Sequence, residues 1–364
     1  VEFSDTNYMM KFIRSEYVIL HDIEFAGGYY QSILLDESQN ITFDSCKFGD
    51  QTRVGIETET YTANSCNNLV VKNCVFDANF TLDYTGVGNY DGASTLSSGN
   101  GMTISSIIGG EIFNNTFLNW GHAGIEMVTP ESGNEVSGTL IHDNDFILLS
   151  NIPYGGSISL DGGTTNIEVY NNVFTNTKDS QINGVSNHIH HNIFNGIKNS
   201  SVHTYQTGHG VTLQNYYQGC NNNIIENNVM IDCDGSGIAV LGDNSGFVYS
   251  NILRNNIIYN CGLTYSNRGI TLVDGNNANN ANTYQNNDVY SNATTSTIYY
   301  YTGAITVSAF NGNNGTNTIS NNISDNPLFV SASDYHLQAG SPAINAGTTA
   351  LSTKDYEGNI MDLT

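Results

Sequence analysis

The sequence predicts an all-β chain wound as a single-stranded right-handed parallel β-helix, a solenoid of about eleven rungs. Three observations predict it. A short Asn-centred phrase recurs along the chain, a glycine followed by alternating apolar residues sits inside most of the repeats, and no stretch competes with a helical period.

The Asn-centred phrase consists of strand residues, Asn or Asp, a variable residue and a large apolar one. It reads ILHDIEF, ITFDSCKF, LVVKNCVF, EIFNNTF, LIHDNDF, EVYNNVF, IHHNIF, IIENNVM, LRNNII, YQNNDV and ISNNIS. Taking the second polar position gives the column Asp22, Ser45, Asn73, Asn115, Asn144, Asn172, Asn192, Asn228, Asn256, Asn287 and Asn322. Its ten intervals span 322 − 22 = 300 residues, a mean of 30, enough for three short strands and three turns per coil. Asparagine suits such a corner because it tolerates the left-handed backbone of a tight turn and its amides can bond along the axis. At roughly 4.8 Å between strands, eleven rungs make a rod of about 50 Å.

The second phrase appears as GIETE, GMTIS, GIEMV, GSISL, GVTLQ, GIAVL, GITLV and GAITV. Its period of two marks a strand with one face inward. If the Ile points inward, the Gly, the second residue after it and the fourth should point outward. That face carries Glu57 with Glu59, Thr103, Glu126, Ser159 with Asp161, and Thr212 with Gln214, while His122 and Arg53 share the parity. Glu126 and Asp161 fall on adjacent rungs, offset by two residues, which puts their Cα atoms about 8 Å apart. Carboxyls about 6.5–9.5 Å apart are what an inverting glycosidase uses, one as acid and one to activate water. The plain alternative is a solvated surface on a very acidic chain.

Two long insertions precede Gly strands, at residues 77 to 100 and 195 to 209, where loops on one face of a solenoid can wall a groove. The first holds Tyr84 and Tyr90, whose rings suit the apolar faces of sugars; the second holds Lys198, His203, Tyr205 and His209. Arg268 lies immediately before a later Gly strand. These types could serve a lyase, in which a cation neutralises a uronate carboxyl and a His or Tyr moves protons. Glu57, His122, His203, Arg268, Tyr84 and Tyr90 are therefore candidate substrate-binding residues, and Glu126, Asp161, His209 and Tyr205 are candidate catalytic ones.

The ending NPLFVSASDYHLQAGSPAINAG breaks the repeat, so residues 1–325 are read as the β-helix and 326–364 as a capping segment. With the Asn-rich rungs, this ending resembles the family of secreted right-handed parallel β-helix repeat proteins of the pectate-lyase-like superfamily. That resemblance implies export and a dealing with polysaccharide, since the family holds lyases, glycoside hydrolases, epimerases and non-catalytic surface proteins. The segment TGHGVTLQ is also similar to the Gly-His-Gly segment of polygalacturonase-type hydrolases, whose other motifs have no match here.

Composition narrows the partners. With 10 basic and 34 acidic residues, the net charge of −24 argues against nucleic acid or an anionic membrane. No stretch approaches the roughly 20 apolar residues of a membrane span. The opening VEFSDTNYMMKF already reads as strand, so residues upstream are expected. Cys46 and Cys74, and Cys233 and Cys261, lie 28 apart on consecutive rungs, where either disulfides or stacked free thiols fit. The cysteines lack zinc-finger spacing. Carboxylate-rich and Asn-rich turns such as Asp161-Gly-Gly and Asp243-Asn-Ser are candidate calcium sites; no other cofactor is indicated. The expectation is an extracellular polysaccharide-degrading enzyme, hydrolase or lyase. The alternative is a non-catalytic cell-surface or matrix protein that can self-associate.

Overall fold

A computed structural model describes residues 2–3, 8–26, 31–49, 54–58, 66–78, 99–128, 135–149, 155, 157–199, 208–215, 219–242, 248–262, 269–274, 281–300, 303–313 and 315–360. The chain is a right-handed parallel β-helix. Its first sheet has thirteen strands; the outermost two, Glu2–Phe3 and Gly303–Ile305, join antiparallel, which leaves eleven parallel strands from Tyr8–Ile13 to Ile298–Tyr300. A second sheet runs from Glu16–His21 to Thr318–Ser320, and a third of ten strands from Glu24–Ala26 to Asp288–Tyr290. Each coil visits the three in turn. Strand order follows the chain along the first and third sheets, and the second branches at Gln39–Asp44 into two rows that each run in chain order, as a solenoid requires.

Corners are made by residues with φ near +55°, a backbone that Asn and Asp tolerate better than other side chains. Asp22, Ser45, Asn73, Asn114, Asp143 and Asn171 form one such column, all between +53° and +58°. The next residue in each rung turns inward. Asn115, Asn144, Asn172, Asn192, Asn228, Asn256, Asn287 and Asn322 are buried, each Nδ2 donating to the next Oδ1 at 2.9–3.0 Å. The predicted single column is thus two columns. Asp22, Ser45 and Asn73 belong to the exposed left-handed one, and Cys46 and Cys74 hold the inward positions ahead of Asn115. A second buried amide ladder, unforeseen from the repeat, joins Asn223, Asn251 and Asn282 at another corner.

Inside the third sheet, Phe25, Phe48, Phe76, Phe117, Phe146, Phe174 and Phe194 stack with centroids 4.5–5.1 Å apart. That is the strand spacing, so each rung adds one ring to a continuous stack, worth about 0.5–1.5 kcal/mol per pair beyond burial. The stack explains the glycines. A Cβ on Gly124 would lie 2.6 Å from a carbon of the Phe146 ring, and Gly101 meets Phe117 in the same way. These glycines face the core and not solvent, which corrects the expected parity. The outward residues are those before the Gly and two after it.

All six cysteines are buried free thiols. The Cys46 N–H donates to the Cys74 sulfur at 3.4 Å, and Cys74 in turn donates to the Lys72 carbonyl. Burial pushes the Cys74 thiol up to about 12. At the far end, the short helix Val307–Asn311 buries Val307 and Phe310, and Asn311 Oδ1 accepts the last amide of the ladder, from Asn322. The tail runs back along the side of the coil. Its Thr348 and Ala346 carbonyls accept from Asn255 and Asn286, and its Leu351 N–H reaches the buried Glu226. Among the described residues no helix is long and apolar enough to cross a membrane.

Candidate functional site

The outward face of the first sheet carries one column in continuous register: Glu57, Thr103, Glu126, Ser159, Gln181, Thr212, Ala239 and Thr271. Most of these are short hydroxyls or amides. The charged exceptions are Glu57 and Glu126, and Asp161 adds a third carboxyl two residues beyond Ser159.

Glu126 is held by its neighbours on both sides. Asn100 Nδ2, one rung earlier, donates to its Oε2 at 2.5 Å. His122 Nδ1 stands 3.6 Å from its Oε1 and 3.1 Å from Asn100 Oδ1, which also accepts the Ala123 N–H at 3.0 Å. Strand Asn100–Ile104 therefore fixes one carboxylate oxygen through Asn100, and the loop before strand Ala123–Met127 places an imidazole beside the other. Glu126 is only 8% exposed, yet His122 remains half open to solvent.

Asp161 follows strand Ser157–Leu160, where its N–H donates to the Met127 carbonyl at 2.9 Å and anchors it to the rung of Glu126. Ser159 Oγ donates to its Oδ1 at 3.1 Å. Burial pushes the Asp161 carboxyl up to about 6, the neighbouring Glu126 carboxylate adds to the rise, and Ser159, His122 and Asn183 pull the other way. The Glu126 carboxylate thus acts electrostatically on Asp161 across adjacent rungs. Such a pair can divide acid and base roles, one group holding a proton near neutral pH.

Glu57 lies two rungs before Glu126 and accepts from Gln31 Nε2 at 2.5 Å. His209 is not gathered with the carboxylates. It sits three rungs from Glu126 along the sheet and is 3% exposed. Its Nδ1 accepts from the Ser236 N–H at 2.8 Å, its own N–H donates to Asp179 Oδ1 at 2.8 Å, and burial pushes it down to about 3. A neutral imidazole so enclosed orders the wall of the sheet and offers solvent little of itself. His203, Tyr205, Arg268, Arg53, Tyr84 and Tyr90 lie outside the described residues, as does Asp243.

The sequence reading did not single out Asn100 or Asn183 beside the carboxylates. It also passed over a histidine cluster on the second sheet, where Glu168, His188 and His190 converge. The run His188-Ile-His190-His191 lies inside the repeated phrase, so its histidines carry no separate signal in the sequence.

No family model matches the chain, and no curated protein does. Among solved structures it is similar to the tailspike protein of E. coli bacteriophage HK620 in complex with a pentasaccharide, at 12% identity and a TM-score of 0.54, over 84% of this chain and 55% of the tailspike. A variant of that tailspike with pentasaccharide matches 90% of this chain and 58% of its own, at 11% identity and a TM-score of 0.55. PfbA, a surface adhesin of Streptococcus pneumoniae, superposes more loosely, at 15% identity and a TM-score of 0.47 over 73% of this chain and 76% of its own. The tailspike likeness shows the fold, the parallel β-helix. The chain spans just over half the tailspike's length.

Proposed function

We propose that the chain acts outside the cell or at its surface on a polysaccharide, bound along the first sheet and hydrolysed between Asp161 and Glu126. The observation that carries this reading is the Asp161 carboxyl, raised to about 6 by burial and by Glu126 on the adjacent rung. In this role Asp161 protonates the leaving oxygen as general acid, while Glu126 activates water from the opposite face. Asn100 and His122 orient Glu126, and Ser159 orients Asp161. Neighbouring strands offset by two residues separate the two Cα atoms by about 8 Å, which leaves the side chains room to hold their carboxyls at the spacing of an inverting pair. The tailspike solved with a pentasaccharide supports a glycan as ligand.

Ten basic residues against 34 acidic ones favour a neutral or weakly charged polymer over a repeating polyanion. The test is digestion of a panel of neutral and acidic polysaccharides. The reading expects new reducing ends without the near-ultraviolet absorbance of an unsaturated uronate. Absorbance would assign a lyase. Neither signal across the panel, with binding or assembly retained, would assign a scaffold.

A further inference from the structure

The second sheet carries a different constellation on its outward face, away from the carboxylates of the first. Glu168 and His188 are register partners on neighbouring strands, and His190 stands two residues beyond His188 on the same strand and face. Three donor atoms, one from each, lie within 4.8 Å of one another. Glu168 Oε1 is 2.9 Å from His190 Nε2 and 3.8 Å from His188 Nδ1. A tetrahedral zinc ion with bonds of about 2.0–2.1 Å has donor–donor edges of roughly 3.3 Å. The two observed separations bracket that edge.

The remaining ring nitrogens already have the partners that metal-binding histidines need. His188 Nε2 is 2.9 Å from the buried Glu226 Oε1, so its proton belongs on Nε2 and the Nδ1 lone pair faces Glu168. His190 Nδ1 is 2.7 Å from His191 Nδ1, a hydrogen bond that fixes the ring while Nε2 points to Glu168. Carboxylate or imidazole support behind each ligating ring sets the tautomer and the orientation. Glu226 is itself secured by Arg254 Nε at 2.7 Å and by the Leu351 N–H of the tail. His190 also stacks on Tyr170 at 5.1 Å, so the ring is held on its face as well.

We propose that Glu168, His188 and His190 bind one borderline divalent transition-metal ion, zinc in the first instance, through Glu168 Oε1, His188 Nδ1 and His190 Nε2. Two imidazoles and one carboxylate suit zinc better than calcium, which takes six to eight oxygens. Three protein ligands leave the fourth tetrahedral position to water, and Glu168, with its side chain 40% exposed, leaves the approach open. The ion ties two successive rungs together beside the point where the tail meets the coil.

The test is titration of the chelator-treated full chain with zinc chloride alone, followed by calorimetry, and with cobalt followed by visible absorption. The proposal expects one zinc per chain and the absorption bands of tetrahedral cobalt. Glu168→Gln, at a half-exposed position that leaves folding intact, should weaken zinc by at least about tenfold, and His188→Gln by at least about 100-fold. Asp161→Asn on the other face should leave zinc binding unchanged. Absence of zinc binding, or equal binding by the Glu168 and His188 variants, overturns the site.

Discussion

The backbone N–H of Cys74 donates to Asn115 Oδ1 at 2.9 Å, so the buried amide ladder ends on the main chain of a residue whose own side chain is a thiol. Asn115 and each later Asn give two bonds along the axis, whereas Cys46 and Cys74 continue the column with sulfur. Asn144→Ala would leave the Asn115 N–H without its acceptor, take from Asn115 Nδ2 one of its two acceptors, and remove the donor to the Ile112 carbonyl, all on the preceding rung. We predict a loss of about 2–4 kcal/mol, from buried groups left without partners. Cys74→Asn, which extends the amide column by a rung, should cost less than about 1 kcal/mol. Denaturant unfolding of the two variants checks the contrast.

Gly124 should not accept a methyl group. A Cβ there would lie 2.6 and 2.7 Å from two Phe146 ring carbons, closer than packed atoms approach, so the ring must move within a continuous stack. Gly124→Ala is expected to lower stability by about 1–3 kcal/mol. The same change at Gly303, where no atom lies within 4 Å, should be nearly neutral. Melting of both variants separates the inward glycines from the outward ones.

Asp288 predicts a pH dependence of stability. It is 3% exposed, its Oδ2 has no hydrogen-bond partner, and burial pushes its carboxyl up to about 7 despite the bond from the Asp325 N–H. Because the folded value lies above the unfolded one near 4, the folded state binds the extra proton between them. Its contribution is therefore complete below about pH 4 and is lost as pH rises to about 7, a change on the order of a few kcal/mol at most. Asp288→Asn should flatten that slope in urea unfolding measured between pH 4 and 7. An unchanged slope would assign the dependence elsewhere.

Period and fold were legible because every rung repeats the same steric demands: a left-handed corner, an inward apolar residue and a glycine. The frame within the period was not. NNTF offers two asparagines and SCKF none, so a rule choosing the second polar residue slips by one between Asn73 and Asn115. The glycine parity failed for a related reason, since strict alternation cannot anticipate a ring from the third sheet occupying the space of a Cβ. Glu126 and Asp161 were readable from strand spacing alone, but Asn100, which fixes Glu126, lies in the preceding rung and only register reveals it. The histidines of the second sheet were hidden by the repeat itself.

The hydrolytic reading fixes a pH profile for turnover. The acid must be protonated, so activity should fall as pH rises through about 6, and Asp161→Asn should abolish that limb along with about 10²–10⁴-fold of the rate. Glu126→Gln should lose a comparable factor. Initial rates against pH on whichever polymer the panel identifies check both.

The coupling of the two carboxyls can be measured without any substrate. Carbon-13 NMR of the Asp side-chain carboxyls, with Asp161 assigned by its absence in Asp161→Asn, gives its titration in the intact chain and in Glu126→Gln. The account predicts a midpoint of about 6 that moves downward when Glu126 loses its charge. A midpoint near the ordinary value of about 4, or one near 6 that ignores the Glu126 substitution, would contradict the paired-carboxylate site.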